Sequence, residues 1–106
     1  MQDEPWPRVI LLVQYDESKD SRSYVDYATV SQALDGVCRL YEESLKMMDP
    51  QLKVVTYDIA DLHGYVDALG ELSCLVYNHE GRTYIPHDRE WIKSRVFEQL
   101  KSQVES

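Results

Sequence analysis

The segment Val9-Ile10-Leu11-Leu12-Val13 is apolar at every position. With Arg8, Gln14 and Tyr15 at its ends it predicts a strand over 8–15. Successive side chains of a strand point to opposite faces, so Val9, Leu11 and Val13 share one side and Ile10 and Leu12 the other. A small antiparallel sheet usually covers one face with its own helices and leaves the other polar. This strand asks for cover on both. Burying one Leu or Ile contributes roughly 1.5–3 kcal/mol, so a second protein chain over the Ile10 and Leu12 side is the first expectation.

The pattern downstream predicts the rest of the fold. Residues 16–21, Asp-Glu-Ser-Lys-Asp-Ser, read as a polar loop. Arg22 to Tyr27 alternates and reads as a strand pairing with the first as a hairpin. Thr29 is a candidate helix cap. Beyond it Val30, Ala33, Leu34, Val37, Cys38, Tyr41, Leu45 and Met48 recur at three- and four-residue spacing. Asp49-Pro50 closes this helix, since a helix usually ends before a proline. Gly36 inside it costs about 0.5–1 kcal/mol relative to Ala, which a close packing contact would explain.

Residues 51–57 read as extended, with their place in the sheet left open. Asp58 suits the N-cap of a shorter helix whose face is Ile59, Leu62, Tyr65, Val66 and Leu69, with Gly70 marking its end. Leu72 to Tyr77 is a third strand, Asn78 to Gly81 a turn, and Arg82 to Pro86 the returning strand. Pro86 belongs at a strand end or a sheet edge. Asp88 caps a last helix carrying Trp91, Ile92, Val96, Leu100 and Val104. The order ββααββα predicts an α+β fold, a four-stranded antiparallel sheet with three amphipathic helices on one face. Residues 1–7 read as a flexible arm and 8–106 as one domain. An apolar face left open marks an interaction site, and a symmetric dimer stacking two sheets would cover it.

Composition narrows the function. With 19 acidic and 11 basic residues the net charge is −8, which opposes unaided binding to nucleic acid or to an anionic membrane. The N-terminal residues lack the apolar core of a signal peptide. A nuclear or cytoplasmic location and reduced core cysteines at 38 and 74 are the expectation.

Chemistry is sparse. His63, His79 and His87 form no pair with zinc spacing, and neither cysteine stands in a Cys-x-x-Cys pattern. The expectation is no metal, no cofactor and no catalytic residue. The carboxylates select no acid/base pair, the glycines build no phosphate loop, and no Gly-x-Ser-x-Gly elbow is present. Eight tyrosines favour a binding surface, because the ring buries while the hydroxyl finds a polar partner. Ser23, with Asp26 three residues on, is a candidate phosphorylation position for an acid-directed kinase.

Taken in order, the segments Ile10 to Gln14, Arg22 with Tyr24 and Asp26-Tyr27, Gly36-Val37-Cys38, Tyr41-Glu42-Glu43, Leu45-Lys46, Thr56 to Ile59, Asp67 with Leu69, Leu72 to Tyr77, Thr83-Tyr84, Pro86 and Trp91-Ile92-Lys93 resemble the enhancer of rudimentary family. The resemblance covers nearly the whole chain. It implies a homodimer joined through the sheets, with Ile10 and Leu12 at the interface. It also implies a non-enzymatic adaptor that binds short segments of RNA-processing proteins, in mRNA elimination, splicing or small-RNA processing, within ribonucleoprotein assemblies. The chain departs from the family pattern in its acidic, Trp6-containing arm. Ser23 stands where a threonine is common, and Gln32 replaces the acid that a second site at Thr29 would need.

Two other classes compete. One is an α+β small-molecule-binding domain or enzyme, which the family's historical genetic link to pyrimidine metabolism keeps in view and which would need a deep polar pocket. The other is direct RNA binding by aromatics on the sheet, which the acidic charge disfavours.

Overall fold

The computed structural model describes residues 6–55 and 58–105, with side chains as far as 103. Two hairpins build one sheet. Strands β1 (Val9–Gln14) and β2 (Arg22–Tyr27) form the first, and β3 (Glu71–Asn78) and β4 (Thr83–His87) the second. Between them come helices α1 (Val30–Met48) and α2 (Ile59–Ala68), and α3 (Arg89–Glu105) ends the chain. The strand order is β2-β1-β3-β4, antiparallel throughout. The α+β class and the helix and strand order expected from the pattern are those observed.

Polar side chains shape the first loop. Ser18 accepts from the Asp20 N–H at 3.1 Å and donates its own N–H to Asp16 at 2.7 Å. These bonds wind residues Lys19–Ser21 into a short 3-10 turn. In the second hairpin Arg82, not Gly81, takes the left-handed conformation, with φ 51°. The returning strand therefore starts at Thr83, one residue later than the pattern predicts.

The caps follow the sequence. The Thr29 hydroxyl accepts from the Gln32 N–H at 3.1 Å, Asp58 from Ala60 at 2.8 Å, and Asp88 from Trp91 at 2.9 Å. Each satisfies an N–H that has no partner within its helix.

The helices pack on the face that carries Val9, Leu11 and Val13. These join Leu72 and Cys74 from β3, Ala33, Leu34, Val37, Cys38 and Tyr41 from α1, Leu62 and Val66 from α2, and Ile92 and Val96 from α3 in one core. Both cysteines are buried and unpaired. Gly36 lies in this layer against the Tyr27 ring, the close contact its place in the helix called for.

One expectation needs correction. Met48 is not a core residue. It is 83% exposed, because α1 has there run past its neighbours and nothing remains to pack on. Gly70 marks the end of α2 as expected, directly after the C-cap Leu69, but without a left-handed conformation, since no glycine described has positive φ. A side chain at Gly70 would collide with the first loop, at 2.9 Å from Gln14 Nε2 and 3.0 Å from the Asp16 carbonyl carbon. Residues 52–55 are irregular and outside the sheet, and 56–57 lie outside the described residues.

The ladder pattern decides which backbone groups face outward. Tyr15 N–H bonds the Ser21 carbonyl and Tyr77 N–H bonds the Arg8 carbonyl. Bonded and non-bonded pairs alternate in an antiparallel ladder. Odd-numbered residues of β1 therefore bond β2, and even-numbered ones bond β3. The same alternation aims the backbone of Tyr84 and Pro86 away from β3 at one edge, and that of Arg22, Tyr24 and Asp26 away from β1 at the other. Pro86 thus places its missing N–H on the outside, where it costs no ladder bond and blunts the edge.

Candidate functional site

The face of the sheet opposite the helices is the candidate site. The register places Ile10, Leu12 and Gln14 of β1 there. Arg22, Tyr24 and Asp26 of β2, Ser73, Leu75 and Tyr77 of β3, and Tyr84 and Pro86 of β4 share it. Leu12 is directly across from Tyr24 on one side and Ser73 on the other, and Ile10 from Asp26 and Leu75. None of the helices lies on this side. Leu12 remains 38% exposed and Tyr24 66%. The structure therefore brings Ile10 and Leu12 together at the centre of an open, largely apolar face.

Both ends of the face are built differently. At one end a polar ladder crosses three strands. Arg22 donates from Nε to Gln14 at 2.6 Å and from Nη2 to Glu71 at 3.2 Å, and Gln14 donates to the Asp16 carbonyl at 2.8 Å. Gln14 is buried there although polar, because each of its amide atoms has a partner. A shallow depression of about 340 Å³ lies between this ladder and Leu12, Tyr24 and Ser73. At the other end the Tyr77 and Tyr84 rings meet edge-on at 5.4 Å, and the Tyr84 hydroxyl donates to the Pro7 carbonyl. Trp6 beside it is 66% exposed. Residues 1–5 of the expected arm lie outside the described residues.

Ser23 belongs to the same sheet but not to this face. It pairs with Val13, so its exposed side chain stands on the helix side of β2 while Asp26 stands on the open side. Thr29 is occupied as a helix cap.

The titratable groups mark structure. The thiols of Cys38 and Cys74 are both pushed up to about 11. Burial is the main cause, with Asp35 and Glu42 adding to it at Cys38. Neither is a nucleophile near neutral pH. His63 meets the Lys93 carbonyl at 3.3 Å, His79 meets the Tyr77 ring, and His87 stacks on Trp91 at 3.9 Å. Among the described residues no three His, Cys, Asp or Glu side chains cluster as a metal site, and no helix is long and apolar enough to cross a membrane.

An uncovered sheet face flanked by two hairpins is shared by many folds, and the comparison with known proteins decides among them. The family model described as "ER: Enhancer of rudimentary" matches residues 6–106. The chain belongs to the enhancer of rudimentary family. An enhancer of rudimentary homolog of Arabidopsis thaliana is 47% identical over 92 residues, which is 87% of this chain and 84% of the relative. The Drosophila virilis protein is 41% identical over 87% of this chain and 88% of its own length. The Caenorhabditis elegans homolog is 37% identical over 90% and 92%. The resemblance first seen in the ordered segments is thus a family membership.

The polar ladder at one end of the face escaped the sequence reading. Gln14, Arg22 and Glu71 are scattered in the chain, and only the register aligns them. The signal available was parity, since Gln14 shares the side of Leu12 once the strand is recognised.

Proposed function

We propose that this chain is a non-enzymatic adaptor. Two copies stack through their open sheet faces, with Ile10 and Leu12 at the seam. The dimer binds short segments of RNA-processing proteins and holds them in an RNA-metabolism assembly of the nucleus or cytoplasm. The observation that carries this reading is the pair Ile10 and Leu12, set at the middle of a sheet face that none of the chain's helices covers. A monomer rarely leaves a contiguous apolar face to water. Family membership supports the adaptor role. The net charge of −8 supports protein partners over bare RNA. A two-fold dimer offers each client two equivalent sites and gains avidity from both. Ser23 is the proposed phosphorylation position.

Light scattering tests the seam. The wild type is expected at twice the 12.4 kDa chain mass. Ile10→Arg with Leu12→Arg is expected at the single mass with helical circular dichroism retained. A monomeric wild type, or an unchanged dimer in the double variant, rejects the interface. Affinity purification with mass spectrometry tests the partners. RNA-processing proteins should copurify with the wild type and be depleted with the double variant.

A further inference from the structure

We propose that the outer edge of β2 takes an extended peptide strand from a client protein, antiparallel to β2, with a base, an apolar residue and an acid at alternate positions. The inference deepens the adaptor reading, since it rests on the chain binding short peptide segments.

The two edges of this sheet differ. At β4 the outward backbone positions are Tyr84 and Pro86, and proline has no N–H to offer. At β2 the outward positions are Arg22, Tyr24 and Asp26. The Arg22 N–H is taken by the Lys19 carbonyl in the loop turn. Among the described residues, no hydrogen bond reaches the Arg22 carbonyl or the N–H and C=O groups of Tyr24 and Asp26. The strand has no proline and an unbroken register over six residues, so neither a missing donor nor a bulge blunts it, and its two charges, Arg22 and Asp26, are of opposite sign. This row of free groups is what strand addition uses.

The side chains say which strand fits. Arg22, Tyr24 and Asp26 all project on the open side, with Tyr24 in the middle and 66% exposed. The Asp26 carboxylate has no ion pair among the described residues. Arg22 is engaged through Nε and Nη2, which leaves Nη1 for a further acceptor. Residues directly across an antiparallel pair interact, and opposite charges there favour pairing. A strand running antiparallel to β2 would place its base against Asp26, its apolar residue against Tyr24 and its acid against Arg22. Affinity would come from the backbone and selectivity from these three positions.

The test uses the full chain and a capped heptapeptide, Thr-Lys-Thr-Val-Thr-Glu-Thr, followed by amide proton–nitrogen correlation spectra. The expected result is a shift and slowed exchange of the Tyr24 and Asp26 amides at up to millimolar peptide. Exchanging Lys and Glu in the peptide should weaken binding by at least about threefold, as two opposed charge pairs predict. N-methylation of the central Val removes a bond to Tyr24 and should abolish binding. N-methylation of either neighbouring Thr, whose N–H points away from β2, should not.

Three results would overturn the proposal. One is the absence of shifts at those amides. Another is equal binding of the Val-methylated peptide. The third is equal binding of the peptide with Lys and Glu exchanged, which would leave Asp26 and Arg22 without the contacts assigned to them. Shifts confined to Ile10, Leu12 and Leu75 would reject the edge and leave the adaptor reading standing. Light scattering on the same samples reports the dimer separately.

Discussion

The Tyr27 ring occupies the space where Gly36 would carry a side chain. A Cβ on Gly36 would come within 2.7 Å of the ring carbon bearing the hydroxyl and closer still to the hydroxyl oxygen. Tyr27 ends β2 and Gly36 lies two turns into α1, so this contact fixes how closely the helix approaches the sheet. Ala favours a helix over Gly by about 1 kcal/mol, yet overpacking a core costs about 1–3 kcal/mol. Gly36→Ala should therefore destabilise the fold in urea denaturation. In a Tyr27→Ala background the same change should become neutral or stabilising. Additive effects of the two substitutions would disprove the contact.

Gly64 supplies the contrast. It lies inside α2, is exposed, and would meet nothing within 4 Å if it gained a Cβ. Only helix propensity remains, so Gly64→Ala should stabilise by roughly 0.5–1 kcal/mol. A lower urea midpoint would contradict the open space.

Arg89 is a cap supplied from another element. Its guanidinium donates to the carbonyls of Val66 at 3.4 Å, Asp67 at 2.8 Å and Gly70 at 3.2 Å. The last turn of α2 contains no basic residue of its own. Positive charge at a helix C-terminus and bonds to its last carbonyls both stabilise. Arg89→Ala should cost about 1–2 kcal/mol, at the scale of hydrogen bonds to charged groups. Hydrogen exchange should show the loss first in α2 and not in α1.

Alkaline conditions should weaken the fold. The Cys38 and Cys74 thiols rise from 9.0 to about 11 in the folded chain, chiefly through burial. Burial also raises Tyr27, Tyr41 and Tyr65. Above pH 9 the unfolded chain releases thiol protons that the folded chain retains. Stability conferred by the neutral thiols is thus complete below pH 9 and lost as the pH climbs toward 11. Urea midpoints should fall across that window. Cys38→Ser with Cys74→Ala should flatten the fall, and an unchanged slope in that variant would remove the thiols as its cause.

Phosphorylation at Ser23 should require β2 to open. The strand is paired with β1, and Asp26 points to the opposite side of the sheet. A capped peptide spanning 18–28 should be phosphorylated faster by an acid-directed kinase than the intact chain. Equal rates would mean that β2 detaches readily.

The fold was legible because each element announces itself locally. Thr29, Asp58 and Asp88 sit one residue before helical periods begin, and Pro50 lies just past the end of one. The open face was legible through one strand, since five consecutive apolar residues at 9–13 outnumber the positions that helices on a single side can cover. What stayed hidden depends on register or reach. Gln14, Arg22 and Glu71 align only when three strands are laid side by side. Met48 continues the period of α1 but lies beyond its partners. Gly70 does end α2, but the close approach that demands a glycine there comes from a loop far away in the chain, which no local pattern shows.

Pro86 has a consequence for the molecule in a crowded cell. Sheets of separate molecules can join into an open-ended fibre when one margin accepts the other, copy after copy. Here the β2 margin can receive a strand, but the β4 margin has a proline where the next molecule would need a donor. Growth from β2 of one molecule onto β4 of the next lacks that bond at every junction. A single ring-closed residue thus lets the chain keep a receptive margin without becoming a monomer of its own polymer.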